Sequence, residues 1–253
     1  MNTFVRLFPD YEDVFFDEIE KHRTYFLPLC SFNLQLIDPR LDQWLHIVSV
    51  KEIYDGCIGQ NTTPYHRHFT QLDSIGFDII DGKYKFEGDW NFFSQHHLIE
   101  ANEYDQDFTA EEIEFAMNDA MYALKKAYYQ KQGTLYDRDQ YRPGLEVNDI
   151  RRLERLRKLT AEDLVQDTPC DYAKERIEQK IAGIFEELNT AQLPLDQCTF
   201  DGTDLLQIPT YQGQVLDYLS YIEGYDFQLH AADAIALFYQ KDIQKAVICF
   251  SYS

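Results

Sequence analysis

Apolar and polar positions alternate early in the chain and fall at helical spacing in its middle. Phe4-Val5-Arg6-Leu7-Phe8 reads as a strand stopped by Pro9-Asp10, and Tyr11 to His22 reads as a short helix with Val14, Phe15 and Ile19 on one face. Tyr25 to Ile37 is rich in aromatic and branched residues and predicts a strand, with Pro28 at an edge or at its start. Trp44 to Val50 predicts another. Gly76-Phe-Asp-Ile-Ile, Asp81-Gly82 and Lys83-Tyr-Lys-Phe-Glu give the strongest local hairpin signal, because Asp-Gly supplies the positive φ angles of a two-residue turn.

The pattern then changes period. Thr109 and Glu112 form a capping box, and Ile113, Met117, Ala120, Leu124 and Ala127 follow as one helical stripe that Gly133 stops. A second helix is predicted over 149–159 on Ile150, Leu153 and Leu156. A short third begins at Thr160 and Asp163, and a fourth begins at Thr168-Pro169 with the stripe Ala173, Ile177, Ile181, Ile184 and Leu188. Strands return with Leu205 to Ile208, Ala234 to Tyr239 and Ala246 to Tyr252, while Val215 to Ile222 fits either strand or helix. Strands, then helices, then strands predict an α+β fold with a mostly antiparallel mixed sheet. No Pro- or Ser-rich linker interrupts it, so the expectation is one domain: strand-rich 1–108, a helical insertion 109–190 and strand-rich 200–253.

Composition narrows the function. The 253 residues carry 44 acids and 23 Lys or Arg, a net charge of −21. Residues 1–109 hold −11 of it, 110–192 hold −4 and 193–253 hold −6. Such a surface repels nucleic acid and anionic membranes and attracts cationic partners. No apolar run has a membrane helix's length and the first residues lack a signal-peptide pattern, so the expected compartment is the cytoplasm. Five scattered cysteines, Cys30, Cys57, Cys170, Cys198 and Cys249, form no C-x-x-C pair and read as reduced, small hydrophobes.

No phosphate-binding loop, dinucleotide fingerprint or nucleophile elbow is present, and no cofactor is implied. His66, His68, His96 and His97 are the weak candidates for a metal site, since residues two apart on a strand share a face. The acids Glu100, Glu103, Asp105 and Asp107 lack the glycine and terminal glutamate of a calcium loop and read as solvated charges or as a surface for a basic partner. The basic run Arg151, Arg152, Arg155, Arg157 and Lys158 reads as pairing with the chain's own acids. Asp217, Glu223 and Asp226 stand among Tyr221 and Tyr225. Tyrosine gives rigid contact area and carboxylates steer and bind Lys and Arg, which together make interface chemistry.

Leu205-Leu206-Gln207-Ile208, Ala232-Asp233-Ala234, Leu237-Phe238-Tyr239, Asp242-Ile243 and Val247 to Phe250 resemble the C-terminal motifs of the YwqG-like family of bacterial proteins. Leu27-Pro28-Leu29 through Ile37 is similar to that family's Pro-Leu…Gln-Ile strand. Alanines replace the family's turn glycines, and its tryptophan there is missing. The resemblance covers about a third of the chain. It implies a mixed-sheet fold without an established catalytic residue and, by association, a role as immunity partner in a bacterial toxin system. The leading expectation is therefore an acidic protein-binding module, not an enzyme, that neutralises a basic toxin domain. A metal-dependent enzyme built on the histidines and a scaffold protein are the alternatives.

Overall fold

The computed structural model describes residues 4–36, 39–52, 58–94, 110–133, 135–136, 149–165 and 205–252. The order is β1 (Val5–Leu7), α1 (Tyr11–Val14), α2 (Ile19–Tyr25), β2 (Phe26–Asn33), β3 (Trp44–Val50), β4 (Ser74–Ile80), β5 (Lys83–Phe86), α3 (Ala110–Gln132), α4 (Asp149–Leu156) and α5 (Ala161–Val165). The last part adds β6 (Thr210–Tyr211), β7 (Gln214–Val215), β8 (Asp217–Ile222), β9 (Ala234–Gln240) and β10 (Lys245–Ser251). The fold class is α+β. Among the described residues every strand pairing is antiparallel, apart from an isolated parallel bridge between Phe15 and Tyr84.

One sheet has the order β1-β2-β3 and a second the order β5-β4-β10-β9-β8. They pack on each other through β3. From the larger sheet, Phe77, Ile235, Leu237, Ile248 and Phe250 enter the main core with Phe26, Phe32 and Val50. The other face of that sheet carries Phe238, Val247 and Cys249 under Phe69, Leu205 and Leu216. Helix α3 serves two cores. Tyr122 joins the main one, while Met117, Met121, Leu124 and Tyr128 pack against Leu153, Leu156 and Leu164 of α4 and α5.

The hairpin β4–β5 forms as expected, with Asp81 at φ 51° and Gly82 at φ 75°. Helix α5 starts where Thr160 and Asp163 predict, and the Thr160 amide and hydroxyl both donate to Asp163 Oδ2, at 2.7 and 2.8 Å. The tract 149–159 ends its helix at Leu156. The ambiguous Val215 to Ile222 resolves into strand.

Four expectations need correction. Tyr11 to His22 is not one helix, because Phe16 N donates to Tyr84 O (2.9 Å) and pins residues 15–16 to β5. Pro28 lies in the middle strand of its sheet, where β1 has already ended and a bulge shifts the register between Pro28 and Cys30. Leu205 to Ile208 is irregular, with Leu206 and Ile208 exposed. On α3 the expected Met117 and Leu124 are buried and Ala120 packs beside them, but Ala127 is exposed and the buried surface widens to Met121, Tyr122, Lys125 and Tyr128. Thr109 and the expected fourth helix lie outside the described residues, as do the side chains of Ile113 and Ile150.

Gly76 is where β4 needs a missing side chain. A Cβ there would stand 2.6 Å from Phe69 Cβ and 2.8 Å from Glu87 Oε1. Glu87 Oε1 accepts from Phe69 N (3.2 Å). Lys245 pairs with the other Glu87 oxygen and with Asp78 at 2.7 Å. Gly76→Ala should lower stability by about 1–3 kcal/mol through overpacking. Urea unfolding checks this, and an unchanged midpoint would show that Phe69 and Glu87 move aside freely.

Candidate functional site

Strand β8 is the outer strand of the five-stranded sheet, and among the described residues no strand pairs with its far side. Its side chains divide by face. Leu219 and Ile222 enter the main core, while Tyr218 and Tyr221 lie against the second core beside Phe238. A short 3-10 turn, Gly224–Asp226, follows. The structure thus brings the predicted Asp217, Tyr221, Glu223, Tyr225 and Asp226 onto one continuous ribbon. All five are half-buried, and each also interacts with the rest of the chain.

The ribbon stands on a rigid base. Lys125 of α3, itself buried, donates to Tyr225 O at 2.6 Å. Asn118, two turns away on the same helical face, accepts from His230 N (2.7 Å) and donates to Lys51 O (3.2 Å). Gln228 donates to Val50 O (3.3 Å) and His230 O (2.8 Å). Phe227 is fully buried and its ring meets Phe8 at 5.0 Å. Gly224 is required by close approach, since a Cβ would meet Ala231 Cβ at 2.6 Å and Ala232 O at 2.8 Å. Residues 223–233 are therefore held on α3, β3 and the main core at once. Such ordering before binding lowers the entropic cost of an interface.

This base was not foreseen. Asn118 and Lys125 read as ordinary helix polar residues, and the one available signal was their seven-residue spacing around Met121, which sets all three on a single face.

His66 and His68 turn to different partners. His66 and His68 are not on a strand: they follow the 3-10 turn Thr63–Tyr65. His66 Nε2 bonds Gly59 O (2.8 Å) and His68 Nε2 bonds Thr210 O (2.9 Å). Among the described residues no three His, Cys, Asp or Glu side chains gather as a metal site. His96, His97, Glu100, Glu103, Asp105 and Asp107 lie outside the described residues. Cys30 and Cys249 are free and buried, and burial pushes both thiols up to about 12. Cys57, Cys170 and Cys198 lie outside the described residues.

One Ser–His hydrogen bond exists among the described residues. Ser31 Oγ and His46 Nδ1 are 2.7 Å apart, and both residues are buried. His46 Nε2 donates to Gly82 O (2.9 Å), which fixes the tautomer so that Nδ1 accepts from Ser31. His46 N donates to Tyr84 Oη (2.9 Å). Burial lowers the imidazole to about 4, with Arg6 and Lys83 adding to the effect and the Gly82 bond opposing it. The pair joins β2, β3 and the β4–β5 turn as a neutral link.

Comparison with family models, with curated proteins and with solved structures gives no match. Among the described residues no helix is long and apolar enough to cross a membrane.

Two outcomes follow from this geometry. Unfolded histidine binds a proton below about 6.5, whereas folded His46 resists it until about 4. Stability from this group is thus complete above the first value and lost as pH falls toward the second. Between pH 7 and pH 5 it contributes a loss of about 2 kcal/mol, and His46→Gln should shrink the fall in urea-unfolding free energy between those pH values by that amount. Equal slopes in the two proteins would refute a neutral His46. Asn118→Ala should cost about 1–3 kcal/mol, because it removes the side chain that accepts from the His230 amide and donates to the Lys51 carbonyl. Hydrogen exchange should show the His230 amide opening faster in that variant.

Proposed function

We propose that this chain is an acidic protein-binding module, an immunity protein that neutralises a cognate bacterial toxin in the cytoplasm. The observation that carries the reading is the β8 ribbon, where Asp217, Glu223 and Asp226 alternate with Tyr221 and Tyr225 on a base tied to three other elements. Between residues 205 and 240 the chain has four acids and no Lys or Arg. The carboxylates accelerate encounter with a basic toxin domain and bind its Lys and Arg, and the tyrosine rings supply contact area at little entropic cost. The net charge of −21 extends the steering beyond the ribbon. The resemblance to the YwqG-like family supports the same role.

The partner is sought first in the product of the neighbouring gene. That product alone should arrest growth, and coexpression of this chain should restore it. Alanine at Asp217, Glu223 and Asp226 together should weaken the complex, with each desolvated carboxylate worth about 2–5 kcal/mol, and should slow association most at low salt. Full rescue and unchanged affinity in the triple variant would move the interface elsewhere. A neighbour whose expression is harmless would remove the toxin reading.

A further inference from the structure

A groove of about 350 Å³ opens between α1, α2, the end of β3 and the middle of α3. Three ion pairs line it: Arg23 with Glu12 (2.9 Å), Lys126 with Asp10 (2.9 Å) and Lys51 with Asp119. The charges balance, but they are not at equal depth. The side chains of Lys51 and Lys126 are 8% and 18% exposed, whereas Asp119, Glu12 and Asp10 are 54%, 64% and 71% exposed. The two lysines form the floor, and the three carboxylates, with Arg23 at 42% exposed beside Glu12, form the rim.

The walls are apolar. Tyr11 Oη donates to Phe26 O (2.8 Å) and Tyr122 Oη to Pro28 O (2.6 Å), so both hydroxyls are used by the interior and the rings face the groove beside Ala123 and Ala127. Lys51 is nine-tenths buried and its ammonium meets a carboxylate that is mostly in water. Asp119 lies half in solvent, so a ligand anion can take its place on Lys51 while the buried ammonium stays paired throughout. A buried ammonium gains far more from a ligand anion that excludes water.

We infer that this groove is a binding site for a small zwitterion of amino-acid to dipeptide size, its anionic end on Lys51 and Lys126 and its cationic end at the rim carboxylates Asp10, Glu12 and Asp119. The volume lies at the small end of ligand pockets, which run from about 300 to 1,000 Å³. A dianion meets the acidic rim and the field of a chain charged −21. A dication meets the lysine floor. Only a ligand with opposite charges at its ends satisfies both layers. None of these residues belongs to β8, so the site stands or falls apart from the partner surface proposed above.

A length-matched series tests it: glutarate, 5-aminopentanoate and cadaverine, titrated at millimolar concentration into the full chain and followed by amide shifts. 5-Aminopentanoate should bind about tenfold more tightly than either symmetric probe and shift residues 10–12, 23, 51 and 119–127. Lys51→Met should weaken it by about tenfold with the thermal midpoint preserved. Asp119→Asn should weaken 5-aminopentanoate while strengthening glutarate. If Lys51→Met does not fold, Lys126→Met reads the same floor. No shift with any probe, or cadaverine binding as tightly as 5-aminopentanoate, would overturn the proposal.

Discussion

Strand β2 has to be covered on both faces. All eight of its residues are buried, and Phe26 alone meets Phe15, Phe77, Phe86, Trp90 and Phe93 at ring separations from 5.3 to 6.2 Å. An antiparallel strand usually keeps one face toward water, and this one cannot. Each polar group it carries then needs an internal partner. Ser31 takes His46 and Asn33 takes Asp42 at 2.8 Å. The Pro28 carbonyl, beside a bulge, takes the Tyr122 hydroxyl from α3. The larger sheet and the helical layer sit where they do because β2 needs both.

That requirement separates what could be read along the chain from what could not. The Asp81-Gly82 hairpin, the β9–β10 hairpin and α3 are local: turn chemistry or periodicity specifies them without reference to anything distant. Pro28 could not be read locally. Proline is excluded from most inner strands because it lacks an amide donor, and it is accommodated here where β1 has no partner for it and the ladder to β3 shifts register just after it. The split between α1 and α2 is likewise set from outside, by β5 pairing with Phe15 and Phe16 and by Glu18 at φ 44°. The Tyr–carboxylate run of the candidate surface was legible because it is contiguous in sequence. Its support was not, since Asn118, Lys125 and Gln228 meet only after folding.

Phe8 shows how the core and the surface are coupled. It holds φ 50°, which is unfavourable for a bulky residue. Its amide donates to Leu29 O (2.8 Å), and its ring touches Tyr122 and Tyr129 of α3 and Phe227 beneath the ribbon. Strain of this kind persists where packing over-determines the backbone. The same ring that completes the cover of β2 therefore also fixes the loop carrying Tyr225 and Asp226.

The buried titratable groups point in one chemical direction. Burial holds the Cys30 and Cys249 thiols and the Tyr84 hydroxyl well above their ordinary values, and it holds His46 and His22 below theirs. Every one of these shifts favours the neutral form. A nucleophilic thiol is tuned the opposite way, toward the thiolate, and the two imidazoles are used as buried hydrogen-bond partners. These groups serve as hydrogen-bond partners and core volume. What the chain presents outward is carboxylate, tyrosine ring and paired lysine, held on a scaffold that leaves them little freedom. Such groups suit recognition of charge and shape, and on the readings proposed above the β8 ribbon and the α1–α3 groove would divide that task.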